Sequence, residues 1–189
     1  MNDGASINPP PKLPFYIRLG MYVTKRVTGQ DLLVPKLLAW YPKTAVSSAV
    51  LEGLIAKGDK DLDERILKLV RVQVSLTALC PFCIDMNSSE YKKLGISDDE
   101  INSLMDPKGV ENVATFSRRE KLAIQYAALI SATPVGVDEA FMAKMKESFN
   151  EREIVILAST SAQVNYWARL IKSLGVPPAG FSNSCRIDY

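Results

Sequence analysis

Apolar residues recur along most of this chain at intervals of three and four, the spacing that places them on one face of an α-helix. From Phe15 onward the pattern is helical throughout, and no stretch alternates apolar and polar residues over a convincing strand length. The sequence therefore predicts an all-α protein, a single-domain helical bundle of about seven or eight helices.

Start and stop signals place the helix boundaries. Ser97, Ser117 and Asn150 each precede a glutamate by three residues, the capping-box pattern that opens a helix. Gly58 and Gly95 are predicted to follow the ends of two helices as left-handed C′ residues. The helix that follows the first cysteines is predicted to continue to Gly95.

Three segments are predicted. Residues 1–14 hold three consecutive prolines and form an extended arm, either a disordered end or an arm that docks on a neighbouring subunit. Residues 15–178 form the helical domain. Residues 179–189 form a polar C-terminal tail with Cys185, which is predicted to be an exposed free thiol.

Composition excludes several classes of function. The chain has 189 residues, of which 47% are apolar and 23% charged, as in ordinary globular proteins. The net charge of +2 is spread along the chain, so no nucleic-acid partner is expected. No apolar run is long enough for a membrane span, and the N-terminus lacks the pattern of a secretory signal. The predicted location is cytoplasmic, where thiols are kept reduced.

The most specific chemical signal is a pair of cysteines at a predicted helix start. Pro81 suits the first helical position, which places Cys80 near the N-cap and Cys83 one turn later. Amide N–H groups and the helix dipole favour a thiolate there, and residues three apart on a helix are close enough to form a disulfide. The pair is therefore predicted to cycle between dithiol and disulfide.

The two cysteines also admit other interpretations. Two cysteines on one helical face can also be buried residues that pack as small hydrophobes. A zinc site needs about four ligands, whereas this chain has no histidine and only Cys185 beyond the pair, so no metal and no other cofactor is expected. The lack of histidine also means that any proton relay must use Asp, Glu, Lys, Tyr or water.

Several segments resemble the carboxymuconolactone decarboxylase and alkylhydroperoxidase D-like family. They are Leu67–Ser75, Cys80–Met86, Ser117–Glu120, Glu151–Val155 and Asn165–Leu170, within about residues 45–178. The cysteine segment is the specific part. The resemblance implies an all-helical homo-oligomer, a trimer or hexamer, whose cysteine pair reduces peroxides or acts as a disulfide reductant. It also implies that Cys83 is the attacking thiolate and that Cys80 resolves it.

Two positions depart from the family's peroxidase motif. The family has a histidine four residues after the second cysteine, where this chain has Asn87, and a glutamate twelve residues before the first, where it has Lys68. If the two helices form a hairpin, Lys68 and Asn87 face each other. Asn87 can donate a hydrogen bond to a thiolate but cannot take up its proton. Lys68 either lowers the thiol pKa by its charge or is a solvated surface lysine.

Two more residues are candidates for a supporting role. Glu90 lies seven residues after Cys83 and so on the same helical face, where it is either a substitute base or an ordinary surface glutamate. On the last helix, which packs against the cysteine site in the family, Asn165 is predicted to line a pocket. Trp167 is predicted to belong to the core.

The leading hypothesis is a thiol-dependent peroxidase or disulfide oxidoreductase. Cys83 attacks a small-molecule peroxide or disulfide, Cys80 closes the internal disulfide, and an external dithiol reductant restores the pair. One alternative is a decarboxylase-type enzyme that acts on a small cyclic carboxylate without redox cysteines. The other is a non-catalytic, redox-sensing helical assembly, which the loss of both relay positions would favour.

Overall fold

The computed structural model describes residues 4–55, 62–106 and 109–182, and it confirms the all-helical prediction. Its elements are α1 (Phe15–Thr28), α2 (Leu33–Leu38), α3 (Pro42–Ile55), α4 (Glu64–Thr77), α5 (Pro81–Asn87), a 3₁₀ turn (Tyr91–Leu94), α6 (Asp98–Ser103), α7 (Gly109–Asn112), α8 (Arg118–Ser131), α9 (Glu139–Ser148) and α10 (Glu151–Ser173). The described residues thus form ten α-helices and no strand. The excess over the predicted number reflects helices of four to seven residues, which are too short to show a clear period.

Helix α4 lies at the centre of the fold and is buried on both sides. Val70 and Val74 pack in a cluster with α8, α9 and α10, whereas Leu69 and Val72 pack in a second cluster with α5 to α8. All four side chains have no exposed surface. Full burial of such a side chain stabilises the fold by roughly 1.5–3 kcal/mol, so α4 anchors the elements on both of its sides.

The predicted capping boxes are all present. Ser97, Ser117 and Asn150 each accept a hydrogen bond from the glutamate amide three residues later, and each glutamate carboxylate accepts one from the cap amide. Gly95 has the predicted left-handed conformation, with φ at 68°. The predicted cap at Gly58 lies outside the described residues. Local polar signals thus fixed the starts of three helices.

The predicted extension of the cysteine helix to Gly95 is wrong. Helix α5 ends at Asn87, and Glu90 adopts a left-handed conformation with φ at 56°. That conformation cannot continue a right-handed helix, so the chain turns there and forms the short 3₁₀ turn. Lys92, Lys93 and Gly95, which were predicted to end the cysteine helix, therefore belong to the end of this 3₁₀ turn.

The N-terminal arm docks on its own chain. The Ser6 amide donates a hydrogen bond to the carbonyl of Leu174 (2.8 Å), and the Trp40 indole donates one to the carbonyl of Asn8 (2.8 Å). Residues 6 and 8 of the arm thus contact their own chain, and docking of the arm on a neighbouring subunit stays a prediction.

Among the described helices, none combines the length and apolar character that crossing a bilayer requires.

The described part of the C-terminal tail is held by one carboxylate. Asp85 on α5 is almost fully buried and accepts hydrogen bonds from the amides of Ala179 (2.9 Å), Gly180 (2.8 Å) and Ser182 (2.7 Å). The tail therefore packs directly on the helix that begins at the cysteines. Cys185, predicted to be a free thiol, lies outside the described residues.

Candidate active site

Cys80 and Cys83 form a disulfide at the start of α5. Cys80 is the N-cap residue, Pro81 occupies the first helical position, and the two Cα atoms are 5.2 Å apart. The Cys83 amide donates to the Cys80 sulfur at 3.3 Å, so the sulfur takes the part of a capping side chain. The sequence correctly predicted this arrangement, since proline and helix spacing are local signals.

The turn before the cysteines is strained. Leu79, between α4 and Cys80, has a φ of 49°, in the left-handed region that a branched side chain rarely adopts. Such a conformation costs on the order of 1–3 kcal/mol and persists only where the surrounding structure imposes it. Here the buried helices α4 and α5 impose it, and the tight turn points the start of α5 back toward α4.

Both cysteines are buried, and Cys83, but not Cys80, lines the large cavity of the described structure. Their side chains are 0% and 2% exposed, and they pack with Phe82 from α5 and with apolar residues of α2 and α10. A cavity of about 910 Å³ reaches Cys83 and Phe82. Its walls come from α1 to α5 and α10 and are mostly apolar. The cysteine that the family resemblance makes the attacking one is thus the cysteine that lines this cavity.

Lys68 and Asn87 face each other, as the predicted hairpin of α4 and α5 requires. The Lys68 ammonium donates to the backbone carbonyls of Asn87 (3.1 Å) and Ser89 (2.8 Å), and both Lys68 and Asn87 line the cavity. Burial lowers the pKa of Lys68, and the nearby charge of Arg71 lowers it further, whereas Glu90 opposes the shift. Lys68 is therefore a partly buried cation beside the cavity rather than a solvated surface lysine.

The side chain of Asn87 is already engaged in this oxidised structure. Its amide nitrogen donates to the hydroxyl of Ser75 on α4 at 2.9 Å, and Ser75 in turn donates to the carbonyl of Arg71. The predicted hydrogen bond from Asn87 to a thiolate is therefore not formed here. Instead, Asn87 links α5 to α4 at the edge of the cavity.

Glu90 is not brought to the cavity. Its side chain is exposed, and its carboxylate lies 2.6 Å from the ammonium of Lys93. The hydrogen bond from Lys93 holds the pKa of Glu90 below its usual range. The prediction that Glu90 shares a face with Cys83 fails because α5 ends at Asn87, so helical spacing no longer applies.

Asn165 does not line the cavity either, although α10 supplies part of the wall. Its amide nitrogen donates to the hydroxyl of Ser131 (2.9 Å) and the carbonyl of Ser161 (3.1 Å), toward α8. The cavity is lined instead by Gln163, Val164, Trp167 and Ile171. Those positions share a helical face that Asn165 lies outside, and Trp167, predicted as core, is a wall residue.

Sequence reasoning missed Glu52, which lines the cavity from α3. Its Oε2 accepts hydrogen bonds from the side chains of Gln163 (2.8 Å) and Trp167 (2.9 Å) on α10. Glu52 is the only acidic residue in the sequence of α3, and this isolation in an apolar helix was the available signal. Nothing in the sequence, however, tied α3 to the cysteines.

Three charged residues line the cavity within the described part of the chain: Glu52, Lys68 and Arg71. Burial lowers the pKa of Arg71, and the charges of Glu52 and Glu64 partly restore it. The formal charge of the three lining groups is +1 at neutral pH. This net positive charge would offset the negative charge of a Cys83 thiolate.

Among the described residues, no group of carboxylates and cysteines is arranged to hold a metal ion.

No family model matches the chain, but solved structures with the same fold do. It is 25% identical over 176 residues to the uncharacterized protein YnjA of Escherichia coli strain K12, covering 93% of each chain. Uncharacterized peroxidase-related proteins from Ralstonia eutropha, described as an alkylhydroperoxidase AhpD core, and from Silicibacter superpose with TM-scores of 0.76 and 0.79. They are 17% and 18% identical to this chain and match 92% and 97% of it, or 92% and 96% of their own lengths.

The chain also superposes on the structure of a protein with a different activity, a debrominase. The debrominase Bmp8, solved as a cysteine-to-alanine variant with 2,3,4-tribromopyrrole, superposes with a TM-score of 0.72 over 95% of each chain at 13% identity. The likeness to these solved structures concerns the fold. The predicted resemblance is thus confirmed at that level, and the chain has the alkylhydroperoxidase D-like helical fold.

Proposed function

We propose that this protein is a thiol-dependent peroxidase or disulfide oxidoreductase in which Cys83 reacts with the substrate and Cys80 completes the disulfide. The observation that carries the proposal is the Cys80–Cys83 disulfide at the start of α5, with Cys83 on the wall of a large cavity and Cys80 behind it. The two sulfurs thus differ in their access to a small molecule. This difference suits an attacking and a resolving cysteine.

With a hydroperoxide as substrate, the reduced Cys83 thiolate attacks the outer oxygen and the O–O bond breaks. The products are an alcohol, which needs one proton, and a sulfenic acid on Cys83. The Cys80 thiol then condenses with the sulfenic acid, releasing water and forming the observed disulfide. With a disulfide as substrate, Cys83 forms a mixed disulfide and Cys80 displaces the second thiol. An external dithiol regenerates both thiols by exchange, and its identity and the cytoplasmic location stay predictions.

The start of α5 favours the thiolate of Cys83. Amide groups of the first turn and the helix dipole stabilise a negative charge there, and the partly buried ammonium of Lys68 adds positive potential. Because the cavity is mostly apolar, these charges are screened less than they would be in water. Lys68 thus supports ionisation of the thiol although it cannot serve as a base while protonated.

Glu52 is the proposed proton carrier in place of the family's missing relay residues. Gln163 and Trp167 fix one of its carboxylate oxygens, and Trp167 packs in the same apolar cluster as Cys80 and Cys83. The carboxylate takes up the Cys83 proton and delivers it to the alkoxide that leaves. General acid–base assistance of this kind contributes roughly 10²–10⁴-fold in rate.

The experiment follows hydroperoxide consumption and disulfide reduction with dithiothreitol as the reductant. Cys83→Ser is expected to abolish turnover, whereas Cys80→Ser is expected to stop after one turnover with a sulfenic acid on Cys83. Cys185→Ser is the matched control and should keep the activity. Equal rates for the unmodified protein and Cys83→Ser would exclude the proposal, and reversible oxidation without turnover would indicate a redox sensor.

A second candidate function is reductive dehalogenation of a small aromatic compound. It is favoured by the apolar cavity beside the dithiol and by the fold shared with the debrominase. The dithiol supplies two electrons and two protons: one proton enters the C–H bond that replaces C–Br, the other is released with bromide, and the disulfide forms. Bromide release from 2,3,4-tribromopyrrole by the reduced protein, compared with Cys83→Ser, tests it. Lactone decarboxylation that survives loss of both cysteines would instead favour the decarboxylase alternative.

A further inference from the structure

Two cations share one wall of the cavity that reaches Cys83. Lys68 and Arg71 lie three residues apart on α4, so they share a helical face, and both line the cavity. Burial is the largest cause that lowers the pKa of each, and the charge of Arg71 lowers the pKa of Lys68 further. The two cations are thus partly removed from water and repel each other, an arrangement that a bound anion would stabilise.

The acidic group of the cavity compensates only one of these charges. Glu52 supplies the single negative charge among the described lining residues, and its Oε2 already accepts hydrogen bonds from Gln163 and Trp167. Glu90 is exposed, pairs with Lys93 and does not line the cavity. The described lining therefore keeps a formal charge of +1, which one monoanion would balance.

The ammonium of Lys68 is held at a defined place beside Cys83. It donates to the backbone carbonyls of Asn87 (3.1 Å) and Ser89 (2.8 Å), which are neutral acceptors. An ammonium has three N–H donors, so an anion in the cavity can accept from the third. Asn87 follows Cys83 by four residues on α5, a rise of roughly 6 Å. An anion at Lys68 would thus leave the sulfur free to meet another part of the same molecule.

The rest of the wall suits an apolar chain. The helices α1, α3 and α10 contribute Leu19, Val23, Val46, Val50, Val164 and Ile171. The cavity volume of about 910 Å³ lies within the range of roughly 300–1,000 Å³ that small-molecule sites occupy. An inorganic anion would occupy only the charged part of this space. A molecule that joins one anionic group to a long apolar chain matches both parts.

We propose that this cavity binds an unbranched aliphatic carboxylic acid, with the carboxylate at Lys68 and Arg71 and the chain along α1, α3 and α10. A carboxylate fits better than a phosphate monoester, because its single negative charge balances the +1 of the lining. The hydroperoxide of such an acid is then the substrate class for Cys83. That last step rests on the proposed function, whereas binding of the acid itself requires no reaction.

The first experiment measures binding of dodecanoate to the oxidised protein by isothermal titration calorimetry, below the concentration at which micelles form. 1-Dodecanol, which lacks the charge, is expected to bind at least about tenfold more weakly. Decanoate is expected to bind roughly 15-fold more weakly than dodecanoate, because each buried methylene contributes about fourfold. Dodecyl phosphate is expected to bind more weakly than dodecanoate.

Variants locate the carboxylate. Lys68→Met and Arg71→Met are each expected to weaken dodecanoate binding at least about tenfold and to leave 1-dodecanol binding nearly unchanged. Lys93→Met is the matched control, because Lys93 is exposed and lies outside the cavity lining. Circular dichroism and a thermal melt establish that each variant is folded. The comparison of dodecanoate with 1-dodecanol in the unmodified protein needs no variant.

Tryptophan emission locates the chain. The sequence has two tryptophans, and Trp167 lines the cavity whereas Trp40 does not. In Trp40→Phe the emission therefore comes from Trp167 alone. Saturation with dodecanoate is expected to shift this emission, and Lys68→Met in the same background should require at least about tenfold more dodecanoate for the same shift.

A kinetic comparison tests the substrate class. The ratio of kcat/KM for the hydroperoxide of linoleic acid to that for its methyl ester is expected to exceed about ten in the unmodified protein. In Lys68→Met the ratio should fall toward one. A change in the Cys83 thiol pKa alters both rates equally, so the ratio reports recognition of the carboxylate alone.

The binding proposal and the proposed function can fail separately. Dodecanoate that binds a protein without peroxidase turnover would support the ligand assignment and contradict the redox function. Equal affinities for dodecanoate and 1-dodecanol, or equal losses in Lys68→Met and Lys93→Met, would overturn the ligand assignment. Tighter binding of dodecyl phosphate than of dodecanoate would overturn the choice of a carboxylate.

Discussion

The indole of Trp167 donates a hydrogen bond to the carboxylate of Glu52 at 2.9 Å, joining α10 to α3 across the cavity that reaches Cys83. Gln163 donates to the same oxygen, so the carboxylate is held by two donors from one helix. This carboxylate therefore lines the same mostly apolar cavity as Cys83 and is held in a fixed position there.

Glu52→Gln is expected to reduce the rate of peroxide consumption by roughly 10²-fold or more, because the amide cannot take up the Cys83 proton. Steady-state rates of hydroperoxide consumption at one fixed pH measure this loss. Glu147→Gln is the control and should leave the rate unchanged, since Glu147 is an exposed glutamate that pairs with Arg118 and lies outside the cavity lining. A similar loss in both variants would contradict the assignment.

Lys68→Met is expected to raise the pKa of the Cys83 thiol, because it removes a positive charge beside the cavity while keeping an apolar stem. The pH dependence of iodoacetamide alkylation of the reduced protein measures this shift. Lys93→Met, which removes an exposed lysine, is the comparison. If the two variants titrate alike, Lys68 does not act on the thiol.

Asp85→Asn is expected to destabilise the protein by about 2–3 kcal/mol, because the amide must replace a buried carboxylate that accepts three backbone hydrogen bonds. Urea unfolding measures the loss. Hydrogen exchange of the amides of Gly180 and Ser182 should rise with it. Asp31→Asn, which breaks an exposed ion pair with Lys36, should cost well under about 1 kcal/mol. Equal losses of unfolding free energy in the two variants would contradict the role of Asp85 in holding the C-terminal tail.

Acid is expected to destabilise the fold through Glu100 and Glu120, which share Arg65. Burial alone would raise the pKa of each carboxyl, but hydrogen bonds from backbone and side-chain groups, together with the charge of Arg65, lower it overall. A pKa lowered in the folded state contributes stability above the unfolded value of about 4.3, and that stability is lost as pH falls through the folded pKa. Urea unfolding should therefore show a constant free energy from pH 7 to about 5.5 and a decline below about pH 4.5.

Arg65→Met tests the same network. Arg65 bonds Glu100 at 2.7 Å and Glu120 at 2.6 Å, and both carboxylates are almost fully buried. Removing their shared cation leaves buried charges unpaired, for which the expected cost is about 3–5 kcal/mol at pH 7. The variant should also lose stability less steeply in acid. An unchanged acid profile would show that other groups control the acid transition.

Helix starts were the part of this fold that the sequence predicted best. A capping box such as Ser117 to Glu120 encodes its own hydrogen bonds within four residues, and Pro81 likewise placed Cys80 at a cap and Cys83 one turn later. Predictions that extrapolated a helix beyond its end failed. Glu90 itself adopts a left-handed conformation after the end of α5, although its spacing from Cys83 is two helical turns.

The residues that complete the candidate site are brought together by contacts between segments that are distant in the sequence. Glu52 meets Gln163 and Trp167 across separations of 111 and 115 residues, and Asn165 turns toward Ser131 and away from the cavity. No local pattern specifies which faces of α3 and α10 meet, because that depends on how all the apolar faces pack together.

The sequence by itself determined the helical class, the capped starts and a pair of sulfurs at one helix N-terminus, since these depend on hydrogen bonds and spacing within a few residues. Only the tertiary structure decided that Cys83 and not Cys80 meets the cavity, that Glu52 supplies its carboxylate, and that Asp85 binds the C-terminal tail. Those outcomes depend on packing between segments distant in the chain, where burial and steric fit select one arrangement.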